Sequence, residues 1–180
     1  SDSLLFGLDK VFDHYLLNSI ADEGHASIIL FSLLIAAGIH IMSKMGAFNG
    51  LVIWLSKYAK SKRSALLITY FMGFVVFFDD YANTLVVGST MQKITDKFKI
   101  SREKLAFIVD ATAAPIASIA IVSTWIGYEV QLIDEAINDY NYPGMENGFI
   151  VFLNSIGYSF YPLLILVFIL ILIISKKDFG

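Results

Sequence analysis

ALLITYFMGFVVFFDDYANTLVVGSTM, residues 65–91, is apolar at both ends and interrupted in the middle by Asp79, Asp80 and Asn83. Basic gaps flank it. Residues 43–64 hold Lys44, Lys57, Lys60, Lys62 and Arg63 and no acid; residues 92–104 hold Lys93, Lys97, Lys99, Arg102 and Lys104 against Asp96 and Glu103. Basic loops stay on the cytoplasmic side of a membrane, so both ends of the stretch are expected inside. A single crossing cannot begin and end on one side. Two crossings are excluded by length, since residues 65–78 reach only about 21 Å as a helix, against a hydrocarbon core of roughly 30 Å. A re-entrant hairpin over 65–91, turning on residues 79–84, satisfies both constraints. Non-helical backbone at that depth must be covered by protein or line a water-filled cavity.

The segments on either side extend this pattern. Residues 26–43, 105–127 and 148–174 are long apolar runs, the second interrupted by Asp110, and each is expected to span. Residues 128–147 carry Glu129, Asp134, Glu135, Asp139 and Glu146 with no Lys or Arg, and the N-terminal segment 1–25 is also acidic; both are expected outside. In residues 46–60, Leu51, Trp54, Leu55 and Tyr58 fall on one helical face flanked by Lys57 and Lys60, which predicts a helix lying in the cytoplasmic interface. Pro162 is the expected kink in the 148–174 span. The apolar fraction of 57% exceeds the roughly 45–50% of soluble domains. The expectation is an all-α, multi-pass protein of the cell membrane, with residues 26–180 as the membrane domain and membrane lipid as its surroundings. There is no cysteine, so disulfides and Cys-based metal sites are excluded. No signal peptide is expected, because no basic n-region precedes an apolar core at the N-terminus.

Asp79, Asp80 and Asp110 are the acids inside apolar segments. A charge at the bilayer centre costs at least about 2.5–3.5 kcal/mol, and such groups usually mark ion or proton pathways. No intramembrane Lys or Arg is available to neutralise them. Compensation therefore has to come from a cation, a proton or helix N-terminal dipoles. Hard cations take oxygen ligands, which Asp80, Asn83 and Thr84 can supply for sodium together with freed backbone carbonyls. Withdrawal from water favours the protonated carboxyl, and a cation can displace that proton, which gives a mechanism for exchange. Residues 110–115, Asp-Ala-Thr-Ala-Ala-Pro, place Pro115 inside a membrane helix one turn after Asp110, with Thr112 between them. Proline frees the carbonyl at Ala111, so a helix break at Pro115 beside the hairpin tip is expected. Ser123 and Thr124 read as helix-packing residues, and Trp125 and Tyr128 as an aromatic belt. His14, His25 and His40 are not assigned a role. An enzyme is not expected: there is no Ser/His/Asp arrangement, metal-ligand cluster or phosphate loop. No cofactor and no nucleic-acid partner is expected.

FFDDYANTLVVGSTM at 77–91, ITDKFKISREKLAFIVDATAAPIAS at 94–118 and STWIGYE at 123–129, with HASIILFSLL at 25–34 and YSFYPLL at 158–164, resemble the NhaC-type sodium/proton antiporter family, and more narrowly its longer-chain branch. Gly46-Ala47 and Gln92-Lys93 depart from the pattern of that family. The resemblance implies membership of a wider ion-transporter group built from two inverted repeats. Each repeat there has a scaffold helix, an interfacial arm helix, a re-entrant hairpin and a broken helix. It implies that this chain is one transporter half-repeat of a longer protein, completed by a second repeat or a homodimer partner. Asn83-Thr84 resembles the sodium-binding hairpin-tip pair of that group. The implied activity is exchange of sodium for protons. The alternative is a sodium- or proton-coupled antiporter or symporter of a small carboxylate or amino acid.

Overall fold

The computed structural model describes residues 6–7, 9–140, 144 and 147–175, all of whose regular elements are helices. The chain divides into two units, residues 1–37 and 38–180. In the first, a π-helical stretch Lys10–Leu16 runs into α1 (Leu17–Ala21), and α2 (Glu23–Lys44) begins after Asp22 takes an extended conformation. Asp22 Oδ1 accepts the His25 amide at 3.0 Å, capping the start of α2. The second unit begins with the last turns of α2.

Gly46, at φ +74°, makes the left-handed turn into α3 (Ala47–Ser56). Of the apolar face expected there, Leu55 packs on the neighbouring core while Trp54 and Tyr58 are exposed and in edge-to-face contact; the Leu51 side chain lies outside the described residues. A Ser61–Ser64 capping box opens α4 (Lys62–Val75). The chain leaves the helix at Val76 and re-enters at α5 (Asp80–Lys97). α4 and α5 fold back on each other, with Met72 and Val76 meeting Val87 and Met91 in one cluster.

Two helices fold back on each other where the hairpin is expected, with the turn earlier than the sequence suggested. Residues 76–79 form the break, and Asp80 to Thr84 belong to the return helix. The reason is capping: Asp79 Oδ1 accepts the Ala82 amide at 2.7 Å, and a carboxylate at the N-cap is among the strongest helix-start signals. The return arm also runs to Lys97 rather than ending at Met91.

A tight turn through Lys99, at φ +52°, leads into α6 (Arg102–Ile119), capped by Ser101. α6 is the central helix. Small residues Ala111, Thr112, Ala113 and Ala117 are buried along it, and α4, α5 and α9 (Phe160–Ser175) pack around it. Gly73 of α4 approaches so closely that an added Cβ would lie 2.8 Å from Thr112 Oγ1. α6 continues through Pro115, and the break comes at residues 120–123. The proline is accommodated within the helix, and it is Ala120, at ψ 137°, that ends it.

α7 (Thr124–Tyr140) then runs on well past the expected end of the span at residue 127, so most of the acidic 128–147 stretch is helix rather than loop. Ile126, Val130, Ile133 and Ile137 recur at helical spacing on its covered side, while Tyr128, Leu132 and Asp139 are exposed. α8 (Gly148–Ser155) packs on α7, where Asp134 Oδ1 accepts the Gly148 amide at 2.6 Å. A 3₁₀ turn, Ile156–Tyr158, separates α8 from α9, and the bend there is 45°. Pro162 sits just inside α9, where a missing amide costs no hydrogen bond, so the kink precedes it.

Among the described residues, the Glu23–Met42 portion of α2 is long and apolar enough to cross a membrane. The number rises to three if α6 with α7, bent by 42°, and α8 with α9 each form one span.

Candidate functional site

Two interruptions of helix meet in the second unit: the hairpin break at 76–79 and the α6–α7 break at 120–123. The Thr124 amide donates to the Phe78 carbonyl at 2.9 Å. The Thr124 hydroxyl donates to Asp79 Oδ2 at 3.2 Å, and the Trp125 indole N–H donates to Asp80 Oδ1 at 3.3 Å. Both half-buried carboxylates of the pair are thus held by the first turn of α7. Asp79 also caps α5, and Asp80 lies in its first turn, where the positive end of the helix dipole favours an anion.

The α6–α7 break is closed by Ser123, which is fully buried. Its hydroxyl donates to the Ala117 carbonyl at 2.7 Å and accepts the Ile126 amide at 3.2 Å. One side chain therefore supports the end of one helix and the start of the next. Ser123, Thr124 and Trp125 were read from sequence as packing and belt residues. The signal that marks them is a Ser-Thr pair at a helix start, and its partner lies 45 residues away in the chain.

Asn83 sits one turn inside α5 and is fully buried. Its Nδ2 donates to the Gly73 carbonyl at 2.9 Å and to the Val76 carbonyl at 3.1 Å, which satisfies acceptors at the C-terminal end of α4. Its Oδ1 is buried and has no hydrogen-bond partner among the described residues. A buried amide oxygen left bare is unusual, because its desolvation costs about 1–3 kcal/mol.

The remaining expected site residues lie elsewhere. Thr84 and Asp110 are exposed and line a cleft of about 570 Å³ between α5 and α6, with Ser89, Gln92 and Arg102 along its length. Gly88 also lines it, facing Val109 of α6. The Thr112 hydroxyl is buried and donates to its own helix, to the Ile108 carbonyl at 2.7 Å. Pro115 is buried within α6. The structure therefore groups Asp79, Asp80 and Asn83 at the hairpin junction and Thr84 with Asp110 in the cleft. The three expected sodium ligands Asp80, Asn83 and Thr84 turn to different surroundings: Asp80 to Trp125, Asn83 to the end of α4, Thr84 to the cleft. Among the described residues, no group of three His, Cys, Asp or Glu is positioned to hold a metal ion.

A Haemophilus influenzae protein described as uncharacterized is 35% identical over 119 residues, which cover 66% of this chain and 23% of that protein. The chain thus spans about a quarter of the length of the curated relative it matches. No family model matches the chain, and no solved structure matches it.

Proposed function

We propose that this chain carries one half of the transport site of a sodium/proton-exchanging secondary transporter of the cell membrane, with the hairpin junction as its working centre. The bare, fully buried Oδ1 of Asn83, one helical turn along α5 from the Asp79–Asp80 pair, is the observation that supports this most strongly. A bare buried acceptor can take a hard cation as its missing positive partner, and the carboxylates one turn away carry the balancing charge. Protons compete for the same carboxylates, so a site of this kind exchanges one ion for the other. A hairpin break set against a helix break is how many transporters build a midplane site. Sodium and protons are then substrates, and no resident cofactor is required. In this reading the basic gaps at 43–64 and 92–104 face the cytoplasm, α3 lies in the interface and α4–α5 is re-entrant. The resemblance to NhaC-type antiporters supports a half-site completed by further chain or by a second copy.

The test uses the full-length protein in proteoliposomes with a pH-sensitive dye inside and an imposed sodium gradient. Sodium-driven proton movement is expected and is lost in Asp80→Asn. Full exchange in that variant would overturn the assignment. Proton movement that requires an added small carboxylate or amino acid would replace it with coupled organic-solute transport.

A further inference from the structure

At the opposite end of the hairpin from Asp79 and Asn83 lies a second cavity, of about 580 Å³, between the starts of α4 and α6 and the last turn of α9. Its rim carries Lys62, Arg63, Lys99 and Lys104, and among the described residues no acid lines it. Its floor is apolar, formed by the buried side chains of Leu66, Ile100 and Ile173. Two helices open onto it by their positive ends, since Ser61 and Ser101, the N-caps of α4 and α6, both line it. The nearby Asp96 is 3.4 Å from Arg102, which lines the α5–α6 cleft instead. Among the described residues, Lys62, Arg63 and Lys99 enter no ion pair.

We propose that this cavity binds the phosphate head group of an anionic membrane phospholipid. The cations and helix starts match a phosphodiester. The apolar floor matches the glycerol and first acyl carbons, which a soluble phosphate lacks. α9 ends at the cavity and presents exposed Val167, Ile171 and Ile174 along its length, an apolar surface of the kind acyl chains cover. Basic pockets between membrane helices on the cytoplasmic side are suited to such head groups, and the basic gaps that form this one are those expected to face the cytoplasm. The site is separate from the hairpin junction, so it stands whether or not sodium is the transported ion.

Lys99 gives a clean variant. Its φ of +52° is left-handed backbone that glycine adopts without strain, so Lys99→Gly removes a cation while preserving the turn. Native mass spectrometry of the detergent-solubilised protein, with phosphatidylglycerol or phosphatidylcholine added, reads the outcome. Phosphatidylglycerol is expected to be retained and phosphatidylcholine not. Lys99→Gly weakens retention about fivefold, and Lys62→Ala with Lys99→Gly about 25-fold, at about fivefold per cation. Lys57→Ala with Lys93→Ala removes the same charge away from the cavity and leaves retention unchanged. Equal retention of both lipids, equal loss in the control pair, or displacement by millimolar inorganic phosphate would overturn the proposal.

Discussion

Replacing Asn83 by alanine separates the structural from the ionic role of the hairpin tip. The amide leaves two buried carbonyls, Gly73 and Val76, without their donor. Each costs about 1–3 kcal/mol when left unsatisfied. The variant also removes the bare Oδ1, which returns about 1–3 kcal/mol of the same kind. The two losses outweigh the one gain, so a net destabilisation of about 2 kcal/mol is expected. The variant is therefore expected to unfold at lower temperature, with a shift that shrinks as the cooperative unit grows. Sodium adds a second readout. If Oδ1 ligates sodium, the parent protein gains about 2.7 kcal/mol at a hundredfold excess over Kd. The assay is thermal unfolding of the full-length protein in detergent, in sodium chloride and in choline chloride at equal ionic strength. The parent is expected to unfold at higher temperature in sodium, and Asn83→Ala at the same lower temperature in both salts. A variant as stable as the parent would show that the α4 carbonyls do not depend on Asn83. A sodium-dependent shift of undiminished size in the variant would remove Oδ1 from the site.

Gly73→Ala puts a methyl group 2.8 Å from Thr112 Oγ1 and 2.9 Å from Thr112 Cβ, and both belong to a fully buried residue. A loss of about 1–3 kcal/mol is expected from overpacking, recovered only in part in the double variant with Thr112→Ala, which removes Oγ1 but keeps Cβ, as a chemical-denaturation double-mutant cycle would show. Thr124→Val removes the hydroxyl bonded to Asp79 and keeps the shape of the side chain. It should cost about 1 kcal/mol and speed amide hydrogen exchange at both breaks, since Thr124 joins them; faster exchange at the α6–α7 break alone would argue against the junction.

Much of this architecture was legible in the residues themselves. A pair of helices folding back over 65–91 follows from charge placement and apolar run length, quantities local to the sequence. The bounds were less legible. Asp79 and Asp80 look like a turn when judged by the cost of burying charge, yet an aspartate at a helix start is favourable because the free amides of the first turn lie within its reach. Pro115 looks like a break, yet the central helix passes through it, and Ser123 closes the gap several residues later by bonding groups on both sides.

The carboxylate pair, the amide of Asn83 and the distribution of basic residues were determined by the sequence alone, because each is a matter of residue type and position in an apolar run. Only the tertiary structure decided that Thr124 and Trp125 hold the two carboxylates, that Asn83 supports the end of α4 with its oxygen left bare, and that Asp110 and Thr84 share a separate cleft. The reason is physical: helix-forming tendency and hydropathy are read over neighbouring residues, whereas these contacts join positions 45 residues apart or on facing helices and exist only once α4, α5, α6 and α7 have packed.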